Sequence, residues 1–264
     1  PRRSASTTQE GSGLGSCAAT NELLAGDSLS EVMRDLASGS DGLLAGLWRA
    51  RIVQQFRDTY AGIPISKFPE DLRTYEQIIW ERAPQVVIEV GVQHGGSTLW
   101  LRDRLSDLQR YRSGPAPQVV GVDVDLGHAR RNFSDLPGEA TAGIALIEGD
   151  IAQPSVVEEV LSAVPRDAEV FVIEDAQHDA ATTLAALRAL APLIRTNGYY
   201  MVEDTCVDYE PLRLAEEWPR GCGAAVAQWL AEDPLGRRFE RRPDLQAYGL
   251  TCHPGGLLRR VSDR

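Results

Sequence analysis

The sequence predicts an α/β fold. It is an open, mostly parallel seven-stranded sheet with helices on both faces, an antiparallel edge and an N-terminal helical extension. Three observations predict it. Short apolar runs alternate with helical patterns from Val86 to Val202, as in a strand–helix–strand chain that builds a parallel sheet. The runs are continuous rather than alternating, VVIEV at 86–90 among them, as expected of strands buried on both faces. Two further short runs, at 237–241 and 256–261, follow the last helix and supply the antiparallel edge.

The totals agree with one large domain plus an extension. The chain has 264 residues, 43% of them hydrophobic and 25% charged, ordinary values for a globular protein. No apolar run approaches the ~20 residues that span a bilayer. The first residues, PRRSASTTQEGSGLGS, hold no apolar core of a secretory signal. The net charge of −11 argues against a nucleic-acid backbone as partner. Cys17, Cys206, Cys222 and Cys252 lack metal or redox spacing and are expected as reduced thiols of a cytoplasmic protein. Lys67 is the only lysine; every other strong base is arginine.

Residues 1–20, rich in Ser, Thr and Gly, are expected to be disordered. Residues 21–84 form the helical extension and lid. Two helices are expected between Ser28 and Tyr60, broken at Gly39–Gly42. A loop with Pro64 and Pro69 follows, and then a helix from Asp71 to Trp80, closed by Pro84. Residues 85–264 are the catalytic domain. Its strands are 86–90, 118–125, 144–150, 171–173 and 199–202, with helices at 98–108, near Ala129, at 154–164 and at 179–194. Helices near 209–217 and 221–230 precede the edge pair.

Acids close the last two parallel strands. Glu174 and Asp175 follow FVI, and Glu203 and Asp204 follow YYMV. Neighbouring strands lie about 4.8 Å apart, so Asp175, Glu203 and Asp204 crowd one place, with His178 just beyond. Carboxylates gathered so closely require a cation, and all-oxygen ligation suits a hard ion such as Mg²⁺. The competing reading is an acidic rim that caps helices. It leaves unexplained why both strands end in acid. His178, three residues past a metal ligand, is the candidate general base.

The first strand ends in Glu89 and leads into Gly91-Val-Gln-His-Gly95-Gly96-Ser97. Glycines there admit a ligand to the backbone at a helix N-terminus. The spacing is not the GxGxxG of dinucleotide folds, and Glu89 would repel a pyrophosphate. It suits a cationic ligand, such as the amino group or sulfonium of S-adenosylmethionine. Asp123 ends the second strand and is placed to accept from ribose hydroxyls. Asp150 ends the third and is placed to accept from an adenine amino group, or to cap the next helix. His94 and His253 are expected at the surface or supporting the site, and Trp218 and Trp229 in packing.

These residues resemble the Mg²⁺-dependent, S-adenosylmethionine-dependent O-methyltransferases of natural-product sugar tailoring. That family includes macrolide-sugar and rhamnosyl O-methyltransferases and proteins called cephalosporin hydroxylases. The resemblance covers about residues 58–261. It rests on the loop Gly62–Asp71 with Tyr75, Ile88–Gly91 with Gly95-Gly96-Ser97, Gly121-Val-Asp123, Glu148-Gly-Asp150, Asp175-Ala-Gln-His178, Gly198–Thr205 and Pro254–Arg260. It implies a class I, Rossmann-like methyltransferase fold. Asp175, Glu203 and Asp204 would hold magnesium, and His178 would be the base. Glu89, Gly91, Gly95, Ser97, Asp123 and Asp150 would line the cofactor pocket. The implied partner is a small-molecule acceptor: a glycosylated polyketide, an aminoglycoside and a non-sugar catechol-like diol stay open, as does homo-oligomerisation. Two positions depart from the family: Gln177 stands where an acid is frequent, and Glu174 where an apolar residue is usual.

Other classes fit less well. A non-catalytic binder of S-adenosylmethionine has no need of the acid cluster. An Fe²⁺-dependent hydroxylase prefers two histidines and one carboxylate.

Overall fold

The computed structural model describes residues 40–113, 116–213, 216, 218–246 and 248–263. The segment 1–20, Cys17 and the first expected helix lie outside the described residues. The chain divides into a small unit, Pro1–Val53 with Leu214–Trp218, and a large one, Gln54–Arg213 with Pro219–Arg264. The described part of the small unit is mainly helix α1, Ser40–Gln55, which begins where the glycines were expected to break the pattern.

This helix stops short of Tyr60. Strand β1 (Thr59–Tyr60) instead pairs with β2 (Ile63–Pro64) in a two-stranded hairpin. Its turn residues Ala61 and Gly62 both have positive φ, 50° and 83°, the geometry that tight hairpin turns need. Ala-Gly is a weaker turn signal than Asn-Gly, which is why this segment reads as the end of a helix.

Helix α2 (Pro69–Arg82) starts with proline at its first turn and acids Glu70 and Asp71 beside its positive end. It ends at Ala83, in the left-handed conformation just before Pro84. The alternating core follows: β3 (Val86–Val90), α3 (Gly96–Tyr111), β4 (Gln118–Asp123), α4 (Gly127–Ser134), β5 (Ile144–Glu148), α5 (Pro154–Ala163), β6 (Val170–Glu174), α6 (Ala180–Leu190) and β7 (Tyr199–Val202). Helix α7 (Cys222–Glu232) precedes β8 (Phe239–Arg241) and β9 (Leu257–Arg260). The 7-stranded sheet has the order β5-β4-β3-β6-β7-β9-β8. Its first five members are parallel. Only β9 is reversed, lying antiparallel between β7 and β8. The expected helix near 209–217 is absent among the described residues there. The chain makes two short 3₁₀ turns, Thr205–Asp208 and Glu210–Leu212; Pro211 has no N–H to extend a helical ladder.

One face of the sheet packs on α2 and α3. Val87, Phe171, Ile173, Tyr199 and Met201 join Tyr75, Ile79, Trp100 and Leu101 in one buried cluster. Side chains alternate along a strand. Continuing by two from these positions reaches Glu89 on β3, Asp175 after β6 and Glu203 after β7. The acids therefore emerge on the α2–α3 face.

Two close approaches bind the loops of this edge. A Cβ added at Gly91 (φ 98°) would lie 1.9 Å from the Asp175 carbonyl oxygen. One added at Gly96 would lie 2.2 Å from the Pro64 carbonyl oxygen. Glycine at the first lets the ends of β3 and β6 touch. At the second it lets the hairpin rest against the start of α3.

Candidate active site

The loop after the hairpin brings Lys67 into the acids. Its ammonium donates to Asp175 Oδ2 and, at 2.5 Å, to Glu203 Oε2. Lys67 is only 4% exposed and Glu203 2%. Burial works against the lysine's charge, but Asp175, Glu203 and Glu89 outweigh it and hold its pKa well above the usual value. Burial would likewise raise Glu203. Lys67, His253 and the Tyr75 hydroxyl, which donates at 2.6 Å, instead hold it at about 2. Asp175 is pushed the other way by burial and by the charge on Glu203.

Residues from α2 and from the loop before β9 complete the buried side of the cluster. Asp71 and Tyr75 are four apart, so they share a helix face. His253 is stacked on Tyr75, with ring centroids 6.3 Å apart. Its Nδ1 accepts the Asp204 backbone N–H at 2.7 Å, so the neutral ring carries its proton on Nε2. That nitrogen faces Asp71 Oδ2 at 3.3 Å and Glu203 Oε2 at 3.8 Å. His253 is 2% exposed. Of the two expected positions, the structure gives it the supporting one, holding Asp204 by its main chain. His94 is half-buried, 4.9 Å from the His128 ring.

On the open side stand Asp175, Asp204 and His178, all partly exposed. His178 Nε2 lies 3.5 Å from Asp204 Oδ2 and 3.9 Å from Asp175 Oδ1. The three residues each offer an atom within 4.8 Å of the others, and so do Glu203, Asp204 and His253. His178 (φ 58°) and Asp204 (φ 50°) are both left-handed, a conformation uncommon outside glycine. Strain of this kind is held where surrounding structure fixes it. The donor set is rich in carboxylate oxygen and already recruits one cation, Lys67. Its chemistry fits a hard divalent ion.

The residues expected around the cofactor lie along the same sheet edge, in different settings. Glu89 is fully buried. It accepts from the Thr98 hydroxyl, and Ser97 also acts on the carboxyl, while its Oε1 has no hydrogen-bond partner among the described residues. Burial pushes its pKa up to about 7. Ser97 is 7% exposed at the start of α3. Gly95 (φ 89°) caps that helix and stands against Phe133. Asp123 Oδ2 accepts the Gln93 N–H at 2.8 Å, and Oδ1 the Asp125 N–H at 3.0 Å. It thus ties the glycine loop to the end of β4. Asp150 accepts the Ala152 N–H at 2.8 Å, a turn bond; the cap of α5 is Gln153.

The sequence marks Lys67 as the lone lysine, and marks Lys67 and Asp71 in the stretch Gly62–Asp71, with Tyr75, as parts of the resemblance, without a role in the site. His253 is expected only at the surface or in support. Glu174, the departure from the family, points to the opposite face of the sheet. It is 2% exposed, and burial raises its pKa from 4.5 to about 7. Between those values the unfolded chain releases the proton while the folded one keeps it. The stability this group contributes is therefore present in acid and lost as the pH rises through about 7. Glu174→Gln should match wild type at about pH 4 and exceed it by about 3 kcal/mol at about pH 8. Urea midpoints at the two pH values check this; a difference independent of pH rejects it.

This sheet order, with the one reversed strand beside its edge, is that of a class I methyltransferase, and the acid cluster stands at the carboxyl ends of its strands, where such folds bind ligands. The family model described as "Rhamnosyl O-methyltransferase/CmcI" matches residues 52–261. The chain belongs to this family of S-adenosylmethionine-dependent O-methyltransferases. A rhamnosyl O-methyltransferase of Mycobacterium tuberculosis (strain H37Rv) is 24% identical over 205 residues, covering 77% of this chain and 78% of that protein. One of Mycobacterium leprae is 28% identical over 156 residues, 58% and 63% of the two chains. Among solved structures, CmcI with Mg and SAM matches with a TM-score of 0.57 at 23% identity, covering 78% of each chain. An O-methyltransferase from Bacillus cereus in complex with SAH matches with a TM-score of 0.50 at 14% identity, over 93% of this chain and 97% of that one. No helix among the described residues is long and apolar enough to cross a membrane.

Proposed function

We propose that the chain transfers a methyl group from S-adenosylmethionine to a hydroxyl of a small glycosylated acceptor, with Mg²⁺ held by Asp175, Glu203 and Asp204 and with His178 as the base. The observation that carries this reading is the convergence of Asp175, Asp204 and His178, donor atoms all within 4.8 Å, at the open end of the sheet. The family's rhamnosyl O-methyltransferases are named for a sugar acceptor, and the CmcI structure holds Mg and SAM.

An Mg²⁺ ion bound here supplies positive charge that makes an acceptor hydroxyl more acidic. The chain's own residues do the rest. Asp175 and Asp204 fix where that charge sits. His178 Nε2, beside both carboxylates, takes the hydroxyl proton as the oxygen attacks. One O–C bond forms, one C–S bond breaks, and sulfur keeps the electron pair as a neutral thioether. The sulfonium loses charge in this step, so its pocket must orient it more than stabilise a new anion. Asp123 and Asp150 each keep lone pairs beyond their backbone bonds, placed for ribose hydroxyls and an adenine amino group. Gly91, packed against the Asp175 carbonyl, holds the cofactor loop beside the metal ligands, and buried Glu89 lies beneath that loop.

A panel of small glycosides incubated with S-adenosylmethionine and Mg²⁺ tests the reading. The expected result is one acceptor gaining the mass of one methyl group, with loss of one hydroxyl proton. Transfer only to nitrogen or carbon acceptors overturns it.

A further inference from the structure

The acids proposed to hold a metal already hold a cation of the protein's own. Lys67 reaches Asp175 Oδ2 and Glu203 Oε2 together, and it is buried. A buried ammonium costs desolvation free energy unless it is paired, so it cannot simply withdraw to water if a divalent ion takes those oxygens. It needs a second buried acceptor. The structure contains one on the same face: Glu89, fully buried, whose Oε1 has no hydrogen-bond partner among the described residues and whose charge acts on Lys67. A buried carboxylate oxygen without a partner is a costly feature that calls for an explanation.

We propose that Lys67 is a resident counter-cation. It bridges Asp175 and Glu203 when no divalent ion is bound, yields Asp175 when one arrives, and turns toward Oε1 of Glu89. The inference rests on the metal role proposed above. It makes Lys67 a positioning residue between the metal ligands and the strand end beneath the cofactor loop. Filling the metal site would thereby change the charge balance under the methyl donor. The ammonium and the ion compete for the same oxygens, so Lys67 also weakens metal binding.

The lone lysine makes the test direct. The 264-residue chain labelled with ¹⁵N and ¹³C at lysine gives one side-chain signal, because Lys67 is its only lysine. That signal should shift as Mg²⁺ is titrated into chelator-treated protein, in step with binding followed by calorimetry. Lys67→Met should bind Mg²⁺ about tenfold more tightly or better, and should melt at a lower temperature than wild type in chelator. Mg²⁺ binding that leaves the lysine signal unmoved overturns the inference, and so does equal or weaker binding by Lys67→Met. If that variant does not fold, Lys67→Gln takes its place and the lysine signal of the wild type decides. Binding by the variant but not by wild type upholds the counter-cation and removes the metal from the proposed function. Binding by neither overturns both.

Discussion

Treatment with EDTA is expected to abolish methyl transfer, and Mg²⁺ to restore it. The reason is the charge count at the sheet edge. Asp71, Glu89, Asp175, Glu203 and Asp204 gather around a single lysine and a histidine whose Nδ1 is committed to a backbone N–H. On the open side, partly exposed His178 lies 3.5 Å from Asp204 Oδ2. On the proposed mechanism, removing the divalent ion leaves the acceptor hydroxyl unfixed against His178 and at its ordinary acidity. Lys67 still pairs Asp175 and Glu203, so the fold should survive chelation. Turnover should therefore fall to background while circular dichroism stays unchanged. Full turnover in chelated, metal-free buffer rejects the metal role.

His178→Ala should lower kcat by about 10²- to 10⁴-fold, the usual contribution of a positioned base. Binding of S-adenosylmethionine should remain within about twofold, because the contacts of His178 run to Asp175, Asp204 and the Cys222 N–H rather than to the residues assigned to the cofactor pocket. The backbone complicates the variant. His178 has φ 58°, and its carbonyl accepts the N–H of Cys222, the first residue of α7, at 3.2 Å. Alanine tolerates that conformation less well than asparagine, which is enriched at positive φ. His178→Asn thus keeps the turn while removing the base, and it should lose as much kcat as the alanine variant. Activity retained in both removes His178 from the mechanism. Loss in alanine alone assigns the residue to the turn.

The parallel core and its acidic strand ends were legible in the sequence. VVIEV, QVVGVD and YYMV could be little other than buried strands, and acids at strand ends need only the βαβ rule to be brought to one edge. The hairpin at Thr59–Pro64 was hidden because its turn is Ala-Gly, and the 3₁₀ turns after Asp204 because Pro211 interrupts an otherwise helical composition. The site was half legible. Acids on β6 and β7 come from adjacent strands, so short-range rules place them. Lys67, Asp71 and His253 reach the same point from a loop, a helix and a distant turn, separated from Glu203 by long stretches of chain. No periodicity or spacing rule connects them. Only the packing of α2 on the sheet does, and that is a property of the whole core.

The alternation that sends Glu89, Asp175 and Glu203 to one face has an evolutionary consequence. Inserting or deleting a single residue within β3, β6 or β7 would move an acid to the other side of the sheet, away from Lys67. Length change inside these strands can proceed only in steps of two. Drift in chain length must be absorbed in the helices and in the loops at the opposite end of the sheet, such as the exposed turn at Arg166-Asp167 before β6. Chains descended from this one can change length at exposed turns of that end while the acidic end keeps its parity.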